Sequence, residues 1–270
     1  MKFGICNEIF KEWEIEKAFR FVKQIGYDAI EIAPFTIANY VTEIPQDTRR
    51  KLRNLAQDIG LEISAVHWVL VQAEGMYMTH TDAGIRNKTA QYFCDLVDFC
   101  GDLGGKAIVV GSPKQRNLLP GVSYDQAWEW AKEVFTPSIA RAAERDVTIC
   151  LEPLAPAETD FINTAEEAIR FTRQFGSRHF QIILDVKAMC SMGQPIPEII
   201  RQSAGEFAYF HANDENLKGP GFGKVDFRPI ADALKEVNYE GYVSVEVFNF
   251  EEGAEVIATQ SLDYLKATFA

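Results

Sequence analysis

A short apolar run followed by a segment of helical periodicity recurs eight times along this chain, once every thirty residues or so. The strand candidates are 2–6, 29–33, 61–67, 106–111, 147–152, 181–186, 207–211 and 242–247. The helical segments are 12–25, 46–59, 85–103, 123–144, 164–175, 196–203, 228–237 and 252–268. In the first of these, Ile15, Ala18, Phe19 and Val22 share a face and Gly26 supplies a stop. In the fifth, Thr164 is an N-cap with Glu167 three residues on, the spacing of a capping box. Strict strand–helix alternation builds parallel sheet, and eight units close into an α/β TIM barrel, (β/α)8. A doubly wound open sheet is the alternative. It requires a glycine-rich phosphate loop after the first strand, and "NEIFKEW" contains no glycine. No Pro/Gly/Ser-rich linker interrupts the pattern, so residues 1–270 read as one domain.

Composition narrows the partners. A formal net charge of −12 argues against nucleic acid, whose phosphates need clustered Lys and Arg. No apolar run is long enough to span a bilayer, and the N-terminal residues lack the apolar core and cleavage site of a signal peptide. The five cysteines are scattered and odd in number, which suits reduced thiols and a cytoplasmic location. Cys6, Cys150 and Cys190 fall in or near strands, as core residues do.

The chemistry is concentrated where four strand candidates run out. Glu152 follows "TICL", Asp185 follows "QIIL", His211 follows "AYF" and Glu246 follows "YVSV". A charge at the end of a strand buried on both faces is costly unless it is paired or binds a cation. Taken singly, Asp185 reads as a turn cap, His211 as a satisfied core histidine, and Glu152 before Pro153 as a carboxylate bonded to loop amides. Taken together, at equivalent positions of neighbouring strands, they read as one metal site on the face where this fold places its chemistry. Three carboxylates and an imidazole suit Mn²⁺ first, with Mg²⁺ or Co²⁺ as alternatives. No thiolate accompanies them, so structural zinc is a poor fit.

These residues carry a resemblance. The stretch 209–248, "YFHANDENLKGPGFGKVDFRPIADALKEVNYEGYVSVEVF", with "LEPL" (151–154), "ETDFINTAEEA" (158–168) and "ILDVKAM" (183–189), is similar to the xylose isomerase-like TIM barrels known as sugar phosphate isomerases/epimerases. These include ketose 3-epimerases, inosose-processing enzymes and hydroxypyruvate isomerase. The resemblance spans essentially the whole chain. It implies a divalent cation held by Glu152, Asp185, His211 and Glu246, with Glu152 and Glu246 also acting as base and acid on opposite faces of the substrate. It further implies that Glu158 hydrogen-bonds substrate hydroxyls, although a plain loop glutamate ahead of the Thr164 helix reads equally well. A homo-oligomer, dimer or tetramer, is the family expectation. Two positions depart from the ketose 3-epimerase pattern: Ala188 stands where a histidine is usual and Leu217 where an arginine is usual. Lys187 and Lys218 are the cations at hand to replace them, unless each is simply a solvated lysine.

Other residues gather at the same strand ends. His67 closes strand three and reads as a contact to a substrate hydroxyl or as a core histidine. Trp68 either stacks on a sugar ring or walls the barrel mouth. Glu31 closes strand two, as a pocket carboxylate or a rim salt bridge. "GSPKQR" (111–116) reads as an anion-binding turn or, more commonly, a solvated basic one. The loop 69–80, with Met76, Tyr77 and Met78 as apolar tips, reads as a lid or an oligomer contact.

The leading expectation is a divalent-metal-dependent isomerase or epimerase acting on a small-molecule sugar, keto-sugar or cyclitol through an enediolate. The alternative is a lyase or dehydratase that removes the same proton and then eliminates, as on a keto-sugar or keto-inositol. Phosphodiester cleavage would need more histidines than the four present, and a non-catalytic sugar binder would not need Glu152 and Glu246.

Overall fold

In the computed structural model, which describes residues 1–270, the eight strands close into one parallel barrel in sequence order. They are β1 (Lys2–Cys6), β2 (Ala29–Ile32), β3 (Glu62–Val66), β4 (Ala107–Val110), β5 (Thr148–Leu151), β6 (Phe180–Asp185), β7 (Phe207–Ala212) and β8 (Tyr242–Val245). The helices are α1 (Ile15–Ile25), α2 (Gln46–Asp58), α3 (Ala83–Leu103), α4 (Tyr124–Arg145), α5 (Ala165–Arg173), α6 (Val186–Cys190), α7 (Ile196–Gln202), α8 (Arg228–Glu236) and α9 (Ala254–Phe269). The barrel reading holds, and every expected strand and long helix is present. No helix is long and apolar enough to cross a membrane.

Two local differences matter downstream. The helix α6 was not expected, because five residues are too few to show periodicity. It starts where Asp185 Oδ1 accepts a hydrogen bond from the Ala188 amide at 2.7 Å. Between β2 and β3 the register slips: Ile30 pairs with Ile63 but Ile32 with Val66, leaving an extra residue on β3. Such a bulge re-aims the residues that follow it, and here those are His67 and Trp68.

The barrel interior is filled by small residues around one large one. Ala65, Ala107, Val109, Cys150 and Ile183 pack with Tyr209, whose hydroxyl donates to Ser64 Oγ at 2.7 Å. Across the β1–β8 seam, a Cβ on Gly4 would stand 2.8 Å from Ser244 Oγ, so the two strands are close-packed because position 4 has no side chain. Alternation along each strand carries this inward face upward, from Val109 to Gly111, Cys150 to Glu152, Ile183 to Asp185, Tyr209 to His211 and Ser244 to Glu246. The functional residues are the topmost layer of the barrel filling.

Outside the barrel, α3, α4 and α5 pack against β6 through aromatic side chains. Phe135 lies 5.1 Å from Phe93 and 4.9 Å from Phe180, centroid to centroid, and Phe171 lies 4.8 Å from Trp128. Phe135 is 1% exposed. Truncating it leaves a cavity that its rigid neighbours cannot fill. Phe135→Ala is expected to lower unfolding free energy by about 3–5 kcal/mol in urea titrations, while leaving metal binding by the folded fraction unchanged.

Candidate metal centre and pocket

Glu152, Asp185, His211 and Glu246 converge as the strand ends suggested. One potential ligand atom from each lies within 4.8 Å of those of the others. All four residues are buried: Asp185 and His211 fully, Glu152 at 6% and Glu246 at 2% exposure. Adjacent strand register brings them together, since Asp185 pairs with His211 and His211 with Ser244, two residues before Glu246. Space for Glu152 comes from β4. The inward position at its top is Gly111, and a Cβ there would collide with Glu152 Oε2.

The hydrogen bonds leave a particular set of atoms free. His211 Nε2 lies 3.1 Å from Glu31 Oε2, so a proton on Nε2 is shared with that carboxylate. His211 Nδ1 stands 3.1 Å from Glu246 Oε2, and neither atom has a hydrogen-bond partner. The two atoms make a close ion-pair contact whose geometry misses that of a hydrogen bond, and they face one another as two ligands of a shared cation would. Asp185 is braced by Ala188 N on one oxygen and on the other by Asn213 Nδ2 at 2.5 Å; Asn213 in turn accepts from Lys187 N at 2.8 Å. Supporting bonds of this kind orient metal ligands.

Electrostatics point the same way. Burial, then the neighbouring charges of Asp185 and Glu246, push the Glu152 carboxyl well above the usual carboxylate range. Burial and Glu246 likewise raise Asp185. Burial would raise Glu246 too, but its contact with His211 outweighs it and the net shift is downward. Burial would lower His211, but Glu246 and Glu31 hold it well above the ordinary imidazole value. Three carboxylates around one imidazole are under-compensated, and a divalent cation fits this donor set.

Above this layer opens a cavity of about 220 Å³. Its walls include Trp68, Gly111, Glu152, Glu158, Lys187, Glu246 and Phe248. Glu158 and Lys187 form an ion pair, Oε1 to Nζ 2.7 Å, and the Lys187 ammonium sits 4.2 Å from the centre of the Phe248 ring. Lys187 is therefore a cavity residue, its side chain only 10% exposed, and not a solvated lysine. Lys218 pairs instead with Glu252, at the edge of the following loop. Trp68 is stacked between Phe35 and Phe248 and its indole nitrogen donates to Glu246 Oε1 at 2.6 Å. Ala188 is fully buried and Leu217 is 44% exposed, so neither brings a polar group to the pocket.

Several expectations are corrected. His67 does not line the cavity. It is fully buried beneath it, with Nε2 2.7 Å from Glu8 Oε2 and Nδ1 3.5 Å from Glu31 Oε2. Glu31 is not a pocket carboxylate; the salt-bridge reading fits it, since it is fully buried and pairs with His211 and His67. Burial would raise it, yet His211 and His67 hold it down at about 2. Arg116 is no solvated turn residue. It is 1% exposed, its guanidinium nitrogens have no hydrogen-bond partner, and burial drives it down to about 10 against the opposing pull of Glu152 and Glu158. Met76 and Met78 are core residues at 6% and 1% exposure, not apolar loop tips. Glu8 and Asn213 went unnoticed in the sequence. Both lie past strand ends, where a glutamate or an asparagine reads as an ordinary loop residue.

Comparison with known proteins places the chain among sugar enzymes of this fold. A family model described as "Xylose isomerase-like TIM barrel" matches residues 19–268. A D-psicose 3-epimerase of Enterocloster bolteae is 27% identical over 258 residues, covering 94% of this chain and 84% of the relative. A 3-dehydro-D-guloside 4-epimerase of Escherichia coli is 24% identical, covering 91% and 92%. Among solved structures, the D-psicose 3-epimerase with D-tagatose from Clostridium cellulolyticum H10 superposes with a TM-score of 0.86 at 22% identity, over 100% of this chain and 99% of the other. A protein described as IOLI with a bound zinc atom superposes at 0.79, with 20% identity, over 100% and 98%.

The crowding of Glu152 gives a testable sign. A raised carboxyl binds its proton more tightly folded than unfolded. The penalty is therefore absent below the ordinary carboxylate range and grows as pH rises toward the raised value. Glu152→Gln removes that charge. In the presence of EDTA, the variant is expected to melt a few degrees higher than the parent at about pH 8, and the difference should vanish near pH 4. Thermal melts followed by circular dichroism decide this; a variant less stable at both pH values contradicts it.

Proposed function

Because the chain belongs to the xylose isomerase-like TIM-barrel family, we propose that it is a divalent-metal-dependent sugar isomerase or epimerase that removes a proton next to a carbonyl. The observation that carries this reading is the meeting of Glu152, Asp185, His211 and Glu246 at the floor of a cavity lined by both glutamates. Enolisation needs a fixed base, a place for negative charge and a second proton donor. When bound, the cation polarises the carbonyl and stabilises the developing enediolate charge. Glu152 and Glu246 both face the cavity, which suits them to act as the pair that removes the proton and returns one. Asp185 and His211 are fixed by Ala188, Asn213 and Glu31, which suits them to hold the cation. Glu158 and Lys187 offer an acceptor and a donor side by side to substrate hydroxyls, and Trp68 and Phe248 offer apolar faces to a sugar ring.

Mn²⁺ is the proposed resident cation, on the strength of three hard carboxylates and one imidazole. The substrate is proposed as a small carbohydrate, and the protein as a cytoplasmic homo-oligomer with neither nucleic acid nor membrane as partner. A second reading, elimination from a keto-sugar or keto-inositol, is favoured by Ala188 and Leu217. These leave the pocket without the polar groups that the ketose 3-epimerase resemblance would place there.

The test is proton exchange in D₂O over a panel of free ketoses, 3-keto-glycosides and keto-inositols. Deuterium uptake next to the carbonyl without other mass change supports isomerisation or epimerisation; loss of water or an aglycone supports elimination. Glu152→Gln and Glu246→Gln are each expected to lower exchange by about 100-fold or more with the fold retained. EDTA should abolish exchange and Mn²⁺ restore it. Exchange that survives both variants and EDTA removes the proposal.

A further inference from the structure

Trp68 occupies an unusual position for a wall residue. It follows the β3 bulge and holds a left-handed backbone, φ 51°, a region that bulky non-glycine residues enter only when their surroundings force them to. Its ring lies between Phe35, 5.7 Å away at 25°, and Phe248, 5.8 Å away at 20°. Stacking from both sides fixes the plane of the indole and hence the direction of its one donor. That donor meets Glu246 Oε1 at 2.6 Å, a short, charge-assisted contact. The other oxygen, Oε2, has no hydrogen-bond partner and stands 3.1 Å from His211 Nδ1.

We propose that Trp68 is a positioning residue that divides the labour between the two oxygens of Glu246, holding Oε1 with its indole N–H so that only Oε2 is presented to the cation. This rests on the metal-dependent reading above and sharpens it. A carboxylate free to rotate can chelate a cation through both oxygens and turn with it. A carboxylate pinned at Oε1 binds through one oxygen and keeps a fixed orientation toward the cavity that Glu246 lines. The backbone strain at Trp68 follows from this role: the chain holds position 68 in a costly conformation because the indole must arrive edge-on to Glu246.

The rival explanation is that the ring only packs the cavity wall. Trp68→Phe separates the two, since it keeps a flat ring between Phe35 and Phe248 but has no donor. Trp68→Leu removes both. The visible spectrum of the Co²⁺-loaded protein without substrate reports coordination directly, and kcat and KM report turnover. The positioning role predicts that Trp68→Phe folds as the parent does, that its cobalt band shifts as Oε1 enters coordination, and that kcat falls by about ten-fold or more with KM within about three-fold. A packing role predicts a parental cobalt band and parental kcat in Trp68→Phe, with loss only in Trp68→Leu; that result overturns the proposal. If the parent turns over no sugar in the panel, the enolisation reading fails while the cobalt band still decides the role of Trp68: a shift in Trp68→Phe sustains it and an unmoved band overturns it.

Discussion

His211 stands between two carboxylates, and most of the site depends on how that is arranged. Glu31 takes one ring nitrogen from below and Glu246 approaches the other from the side of the cavity. The line continues in both directions, through His67 to Glu8 beneath the floor and through Glu246 to Trp68 at the wall. Charges alternate along it between carboxylate and imidazole, which is how a barrel otherwise filled with alanine, valine and isoleucine can hold so many ionisable groups out of water. Fixing the ring at one nitrogen leaves the other as the directed ligand.

The architecture was legible because a parallel barrel is periodic at two scales. Each strand is a continuous apolar run, each helix has one apolar face, and the alternation repeats eight times. The four strand-end residues were legible for the same reason, as polar residues interrupting runs where burial forbids them. What lay hidden lacks that contrast. Glu8 and Asn213 sit just beyond strands, in stretches that read as ordinary loops. The burial of Arg116 depends on the loop after β4 folding back beside Glu152 and Glu158, a tertiary event with no local signature. His67 was noticed, but its direction depends on the β3 bulge, which shifts register without altering hydrophobicity. The stack of Phe35, Trp68 and Phe248 joins three separate loops that nothing in the linear order connects.

Ala188 and Leu217 mark where the pocket differs from the ketose 3-epimerase pattern. Ala188 lies in the first turn of α6, capped by Asp185, and is sealed away from the cavity. Leu217 adopts φ 70° and donates nothing to the pocket, its carbonyl accepting instead from Phe248 and Asn249. The charged pair that lines the cavity is instead Glu158 and Lys187, with the Lys187 ammonium against the Phe248 ring.

The bare top of β4 has a geometric consequence. Every inward position at the upper layer of strands five to eight carries a charged or ionisable side chain, whereas β4 contributes only the hydrogen of Gly111. Glu152 leans into that notch, where a side chain on β4 would otherwise stand. Past that notch the cavity continues along Ser112 and Pro113. Room for longer molecules is therefore set by that short loop, and the eight-stranded frame can stay unchanged while it varies.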